Sequence, residues 1–278
     1  MKVHEIWRYP VKSLIGSTVA SAELDEHGIV GDRTWALRDA TTGNLANCRQ
    51  TPGIMQLAAA VDADGGVLIT TPAGATTRSS SADVDAVLTD VLGTPVRLEA
   101  LRAADDLDYF RRRPTDMPDP MAHLRGIFGR EENEPLPDFT KFGPAVMEFD
   151  SPPGAFHDCY PLMVMSTSAL RAMAEAVPDS IIDVRRFRPS FVIDTGDEPG
   201  HPEFGWAGRR FRVGTAVIEV VNDCPRCAAI TKQIDDRTPA DRAILRHVVR
   251  DLGQAVGVYC TVLQPGTITT ASPVTPLP

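Results

Sequence analysis

Lysine is nearly missing from this chain of 278 residues: it stands only at positions 2, 12, 141 and 232, while arginine is abundant. Aromatic residues make up only 6%. No run of ~18 apolar residues exists, so no segment reads as a transmembrane helix. The opening stretch MKVHEIWRYPVKSL contains no signal-peptide apolar core. Five cysteines at irregular spacing do not make a disulfide framework, and the expected location is the reducing cytoplasm. No glycine-rich dinucleotide fingerprint follows any expected strand. The formal charge of −9 leaves no basic surface excess for general nucleic-acid binding. What remains is ordinary globular composition, 43% hydrophobic and 23% charged, in a length suited to one large or two medium domains. Prolines are many, which suits short strands joined by turns.

The pattern along the chain is mostly β. Strands are expected at 2–9, 19–24 and 33–38, and a hairpin at 57–61 and 67–71 turns on Asp64-Gly65-Gly66. A helix is expected from Ser81, because Val84, Val87, Leu88 and Val91 recur at i, i+3, i+4 and i+7 and Gly93 follows at C′. Residues 102–150 show the least pattern and read as an irregular linker or a lid. Beyond them come a strand over 162–165, a helix over 166–177, and strands at 191–194, 210–213, 216–221 and 256–263. A further helix is expected with Thr238 as N-cap and Pro239 at N1, and a proline-rich tail from Pro265 reads as only partly ordered. The fold class is mainly β with a few helices (α+β), its sheets antiparallel. The division expected is 1–100 and 101–278.

The stretch from Arg185 to Thr231 concentrates the chemistry. It feeds a strand toward Cys224-Pro225-Arg226-Cys227. A CxxC is open to several readings: half a zinc site, a redox dithiol, buried structural thiols, or one thiolate ligand to a soft metal. Cys48, Cys159 and Cys260 stand apart in sequence, so a second ligand pair for zinc is not evident. Lys12-Ser13, Arg33 and Arg188-Pro189-Ser190 lie at strand ends or turns. Together they offer a point-charge ammonium and forked guanidiniums, both suited to phosphate. Asp158, in HDCYP, precedes an apolar strand. It reads as a turn aspartate or as an acid at a reacting centre.

The segments YPVKS, GDRTWAL, DCYPLMVMSTSAL, RFRPSFVID and CPRCAAIT occur in this order, and the set resembles MOSC-domain proteins with an N-terminal MOSC β-barrel domain. The amidoxime-reducing component and its bacterial relatives are the nearest likeness. The resemblance implies a two-part architecture and a molybdenum cofactor with its pterin. In it Cys227 is the metal ligand, and Lys12, Ser13, Arg33, Arg188 and Ser190 hold the cofactor. Asp158 is implied as the acid beside the metal. Ser190 stands where the family commonly has asparagine, and the residues after Cys227 depart from the usual TTVD. The implied function is reduction of N-hydroxylated small molecules, with electrons from a separate donor protein because no iron–sulfur cysteine set follows Cys227. Two alternatives stay open: a non-catalytic cofactor carrier, and sulfur transfer through a persulfide on Cys227.

Overall fold

The computed structural model describes residues 1–114, 118–142 and 145–278. An eight-stranded sheet dominates it. In sheet order, its strands are Val274–Leu277, Arg210–Val213, Ala216–Pro225, Ala255–Gln264, Leu162–Ser166, Phe191–Asp194, Lys2–Arg8 and Ser17–Thr18. Neighbours run antiparallel except Leu162–Ser166 beside Phe191–Asp194. That parallel pair needs a crossover, and the helix Thr167–Ala176 lies between the two strands in sequence. Ser166 caps this helix by accepting from the Ala169 N–H at 2.9 Å. A bulge between Val3 and Glu5 brings Val3 and Ile6 to one face of Lys2–Arg8, where they are buried with Phe191, Val258 and Cys260. Each such side chain contributes roughly 1.5–3 kcal/mol by leaving water.

The sheets divide the chain differently from a boundary at residue 100. The first strand belongs to the large sheet, with Ile6 opposite Phe191. Ser21–Asp25 pairs with Gly266–Thr269 near the C-terminus. The N-terminal body proper contains the pair Trp35–Asp39 with Val96–Ala100 and the meander Ala58–Val61, Val67–Thr70, Thr76–Arg78. The helix Val84–Leu92, ended by left-handed Gly93, closes its core of Leu37, Ile54, Leu57, Ile69 and Leu88. Residues 11–15 dip from the large sheet into the N-terminal body before Ser17–Thr18 returns to pair with Lys2–Arg8. Val11 bridges to Trp35, and Ile15 to Ala58.

Three expectations are corrected. The tail from Pro265 forms two strands because Ile268 and Val274 enter the main core. Thr238 caps no helix. Its hydroxyl accepts from Arg185 and its backbone bridges to Asp235, so the helix begins at Ala243. Residues 102–150 are not featureless: they hold the short helices Leu107–Phe110, Pro120–Phe128 and Ala145–Glu148. Tyr109, Phe110, Phe149 and Phe156 make an aromatic core there. Residues 115–117, 143 and 144 of that stretch lie outside the described residues. Among the described residues no helix is long and apolar enough to cross a membrane.

Candidate functional site

The candidate site is a cleft where the passage 11–15 meets the ends of the large sheet. Lys12, Ser13, Arg33, Asp158, Arg188 and Cys227 all line it. It holds about 100 Å³, and it adjoins a hollow of about 410 Å³ that shares Lys12 as a wall. The convergence of Lys12, Arg33 and Arg188 expected from sequence is therefore observed across both bodies.

Backbone geometry sets these side chains. Ser13, Arg33 and Arg188 have positive φ, at 68°, 51° and 58°, and Arg188 ends the one-turn helix Val184–Phe187. Non-glycine residues held there carry strain on the order of 1–3 kcal/mol, which the surroundings must offset. Gly28 meets a related demand. Its φ is +106°, and a Cβ would lie 2.5 Å from the Pro161 carbonyl oxygen, so this turn packs directly on the loop that carries Asp158.

Arg33 pairs with buried Asp32, whose other oxygen accepts from the Tyr9 N–H. The guanidinium carbons of Arg33 and Arg188 lie 5.1 and 4.4 Å from the Tyr9 ring centroid. Burial raises the Asp32 carboxyl above its ordinary pKa, opposed by Arg33. Burial lowers that of Arg188, and Arg33 lowers it further. Arg188 donates to the Leu14 carbonyl and contacts no carboxylate among the described residues. This is a cationic pair with only one close counter-charge.

Lys12 is buried and donates to Asp158 Oδ1 at 2.6 Å and to the Phe156 carbonyl at 3.1 Å. Desolvation by the cleft wall opposes ionisation of Asp158, although its side chain is 57% exposed, and Lys12 and Arg49 outweigh it and hold the carboxyl well below the usual carboxylate range. The neighbouring His157 is neutral. Burial, then Arg33, pulls its pKa down to about 3, and its Nε2–H donates to the His27 carbonyl at 2.8 Å.

On the opposite wall, the strand Ala216–Pro225 carries Cys224 into the core, and Cys227 lies just beyond it, half-buried. A short 3-10 turn, Ala228–Thr231, follows Cys227 directly, earlier than the helix expected near Thr238. Arg226 spans the loop. It donates to Cys224 Sγ at 2.9 Å and to the Phe187 carbonyl at 2.6 Å, while its Nε finds no acceptor among the described residues. Burial raises the pKa of the Cys224 thiol, opposed by Arg226.

Ser190 is not brought to the cleft. Its hydroxyl is buried and accepts from the Met163 N–H at 3.2 Å, which ties two strands together. Cys48 and Cys159, which stand apart in sequence, line the cleft with Cys224 and Cys227. Nothing local could place them there, because Cys48 arrives on the N-terminal body. Even so, among the described residues no group of three or more His, Cys, Asp or Glu is arranged to hold a metal ion.

Residues 1–113 match the MOSC N-terminal beta barrel domain family, and residues 152–275 match the MOSC domain family. The chain carries a MOSC N-terminal beta barrel domain followed by a MOSC domain. Both halves of the cleft fall within those matches: Lys12 and Arg33 in the first, Asp158, Arg188 and Cys227 in the second. No curated protein matches the chain. Among solved structures it is similar to APC1665, the YUAD protein of Bacillus subtilis, at 11% identity and TM-score 0.47, over 99% of this chain and 94% of that one. It is also similar to YiiM from Geobacillus stearothermophilus at 18% identity and TM-score 0.31, and to YiiM from Escherichia coli at 19% and 0.33. Those two matches cover 43% of this chain, and the chain spans only 55% of the length of each YiiM.

Arg226, Arg49 and Arg186 were not singled out from sequence. Arg186 is fully buried and donates only to carbonyls, those of Ile181, Ile230, Lys232 and Pro239. The available signal was position: arginines beside a thiol pair and beside the FRP turn.

Proposed function

We propose that this protein is an oxidoreductase that holds a molybdenum–pterin cofactor in the cleft and removes oxygen from N-hydroxylated, amidoxime-like compounds. MOSC domains are associated with molybdenum cofactor binding and with sulfurase-like roles. The observation that carries the reading is the donor set: a half-buried thiol at Cys227, next to a buried Arg226 N–H without an acceptor. Across the cleft stands an arginine pair with a single close carboxylate. These residues fit a group that is anionic at one end and thiophilic at the other.

When bound, the cofactor supplies two-electron oxygen-removing chemistry. The overall change is R–NHOH plus two electrons and two protons to R–NH2 and water. Lys12, Arg33 and Arg188 bind the phosphate, and Ser13 Oγ, which accepts from the Cys48 N–H at 3.2 Å, keeps its own hydrogen to donate. Cys227 is the metal ligand. Asp158, held ionised by Lys12 and Arg49, orients the lysine and is a poor proton donor, which revises the acid role implied by the resemblance. Water that reaches this exposed carboxylate carries the proton. Electrons come from a separate donor protein: four of the five cysteines line the cleft and Cys260 is buried in the core.

The test is protein made in a cofactor-competent host, assayed for molybdenum, for pterin fluorescence, and for amidoxime reduction driven by reduced viologen. Wild type and Cys224→Ser should turn over, and Cys227→Ser should not. Equal loss in both variants, with zinc recovered from wild type, sinks the proposal. A second reading, sulfur transfer through a persulfide on Cys227, draws on the four cysteines at one cleft. It predicts a cyanide-labile sulfur on metal-free protein. Metal-loaded protein that reduces nothing yet activates an apo-enzyme would be a carrier.

A further inference from the structure

A second charged cavity lies behind the thiol loop, outside the cleft. It holds about 390 Å³ and is lined by Arg125, Arg130, Lys232, Arg242 and Arg246, against Glu131 as the one acidic wall residue. Like charges gathered this way repel one another, and the protein carries −9 overall. We propose that the cavity is an anion site for a phosphate-type dianion, free or as a monoester, separate from the Lys12–Arg33–Arg188 cleft.

Each cation can be accounted for. Arg246 is committed: it pairs with Glu134 and donates to the Gly129 carbonyl. Arg125 donates to the carbonyls of Glu131 and Glu134, at 2.8 Å each. Arg130 is only 7% exposed, and all its partners are neutral: Phe128, Pro135 and Arg226 carbonyls and the Gln254 amide oxygen. Burial lowers its pKa to about 10. The side chains of Lys232 and Arg242 make no hydrogen bond or ion pair among the described residues. Glu131 and Glu134 are further shared with Arg250. Four of the five cations, Arg125, Arg130, Lys232 and Arg242, therefore lack a carboxylate contact among the described residues, and they converge on a concavity rather than a flat face.

The helix Ala243–Asp251 starts at the cavity edge and has no acidic residue in its first turn. Its positive end adds to the field. Asp241 lies just before it, with Oδ1 committed to the Ala243 N–H at 2.8 Å. A dianion with several acceptor oxygens matches forked guanidiniums and an ammonium better than a single carboxylate does. The site also touches the thiol loop. Arg130 Nη2 donates to the Arg226 carbonyl at 3.0 Å, and Ala228, next to Cys227, lines the cavity.

The test is calorimetric titration with inorganic phosphate at low ionic strength. Lys12→Gln removes one of the cleft's three cations and lowers its share of the phosphate signal, so the cavity site is read from the change that two further substitutions cause. Adding Lys232→Gln and Arg242→Gln, both partly or fully exposed and so removable without unfolding, should weaken that site by about tenfold or more. Sulfate should compete and chloride should not. A nucleoside monophosphate that binds tighter than phosphate identifies an ester as the occupant, and equal or weaker binding identifies the free ion. Phosphate binding to Lys12→Gln that is absent, or that survives the two further substitutions unchanged, overturns the proposal.

Discussion

The cleft and the strap behind the thiol loop, residues 120–134 held against the helix Ala243–Asp251, both use arginine, but they use it differently. In the cleft, Arg33 and Asp32 are buried together on Tyr9, and Arg188 shares that ring without a carboxylate of its own. In the strap, Arg246 and Arg250 meet Glu131 and Glu134 in four pairings, and only the Glu134 and Arg246 side chains are well covered. The cleft is set by burial and positive φ, and so is stiff and short of negative charge. The strap is set by partly solvated pairs that salt can screen. The cleft leaves cations short of counter-charge for an anion, whereas the Arg246 and Arg250 pairs hold a segment down beside the unpaired cations of the second cavity.

The largest expected effect is in the cleft. Asp32→Asn keeps an acceptor for the Tyr9 N–H but leaves Arg33 with no close counter-charge beside Arg188. Breaking a buried pair from one side costs about 3–5 kcal/mol. Denaturant unfolding should show that loss, and added phosphate should restore part of it. A change under about 1 kcal/mol would mean the cleft is no stiffer than the strap.

The comparison also explains what the sequence revealed. Lys12, Arg33, Arg188 and Cys227 each sit at a strand end or turn, but the resemblance, not a local signature, implied their roles, and the structure shows that they line one cleft. Strands were legible where apolar and polar residues alternate, as in Ser21–Asp25, whose Ala22 and Leu24 are buried. Cys48 and Cys159 were not, because their approach to Cys227 depends on how the two bodies pack. Ser190 was misplaced because a hydroxyl after FRP can serve a ligand or a neighbouring strand equally well. Only tertiary contact shows that the Met163 N–H takes it. The tail was misjudged from its prolines, although Pro276 lies in the edge strand Val274–Leu277, the outermost of the large sheet, where proline is tolerated. The strap escaped notice because its helix Pro120–Phe128 buries no residue fully and so carries no clear apolar stripe, unlike Val84–Leu92 of the same length.

His157 sharpens the comparison through pH. Its folded pKa is about 3, against about 6.5 in an unfolded chain. Below pH ~6.5 the unfolded state therefore takes a proton that the folded state refuses, and stability falls as pH drops toward 3. The slope from this group approaches roughly 1.4 kcal/mol per pH unit in that window. Asp158 acts in the same direction at lower pH, since its depressed pKa adds stability only above the unfolded value of about 3.9. His157→Asn should flatten the stability profile between pH 6.5 and 4 without altering it above pH 7.5. A slope that survives the substitution would assign the acid sensitivity to another group.

The smallest expected effect belongs to the strap. Arg250 is more than half exposed, and its contacts are Glu131 at 2.8 Å and Glu134 at 3.4 Å. Solvated pairs of this kind contribute about 0.2–1 kcal/mol, and salt screens them. Arg250→Ala should therefore cost no more than that at low ionic strength, and the difference from wild type should vanish near 1 M salt, where the screening length is about 3 Å. Glu134 keeps Arg246 and the Glu131 N–H, so the strap stays seated in the variant. Asp32→Asn, by contrast, should keep most of its penalty in the same salt series, because buried charges are screened far less. Equal salt sensitivity in the two variants would place both assemblies in one electrostatic class.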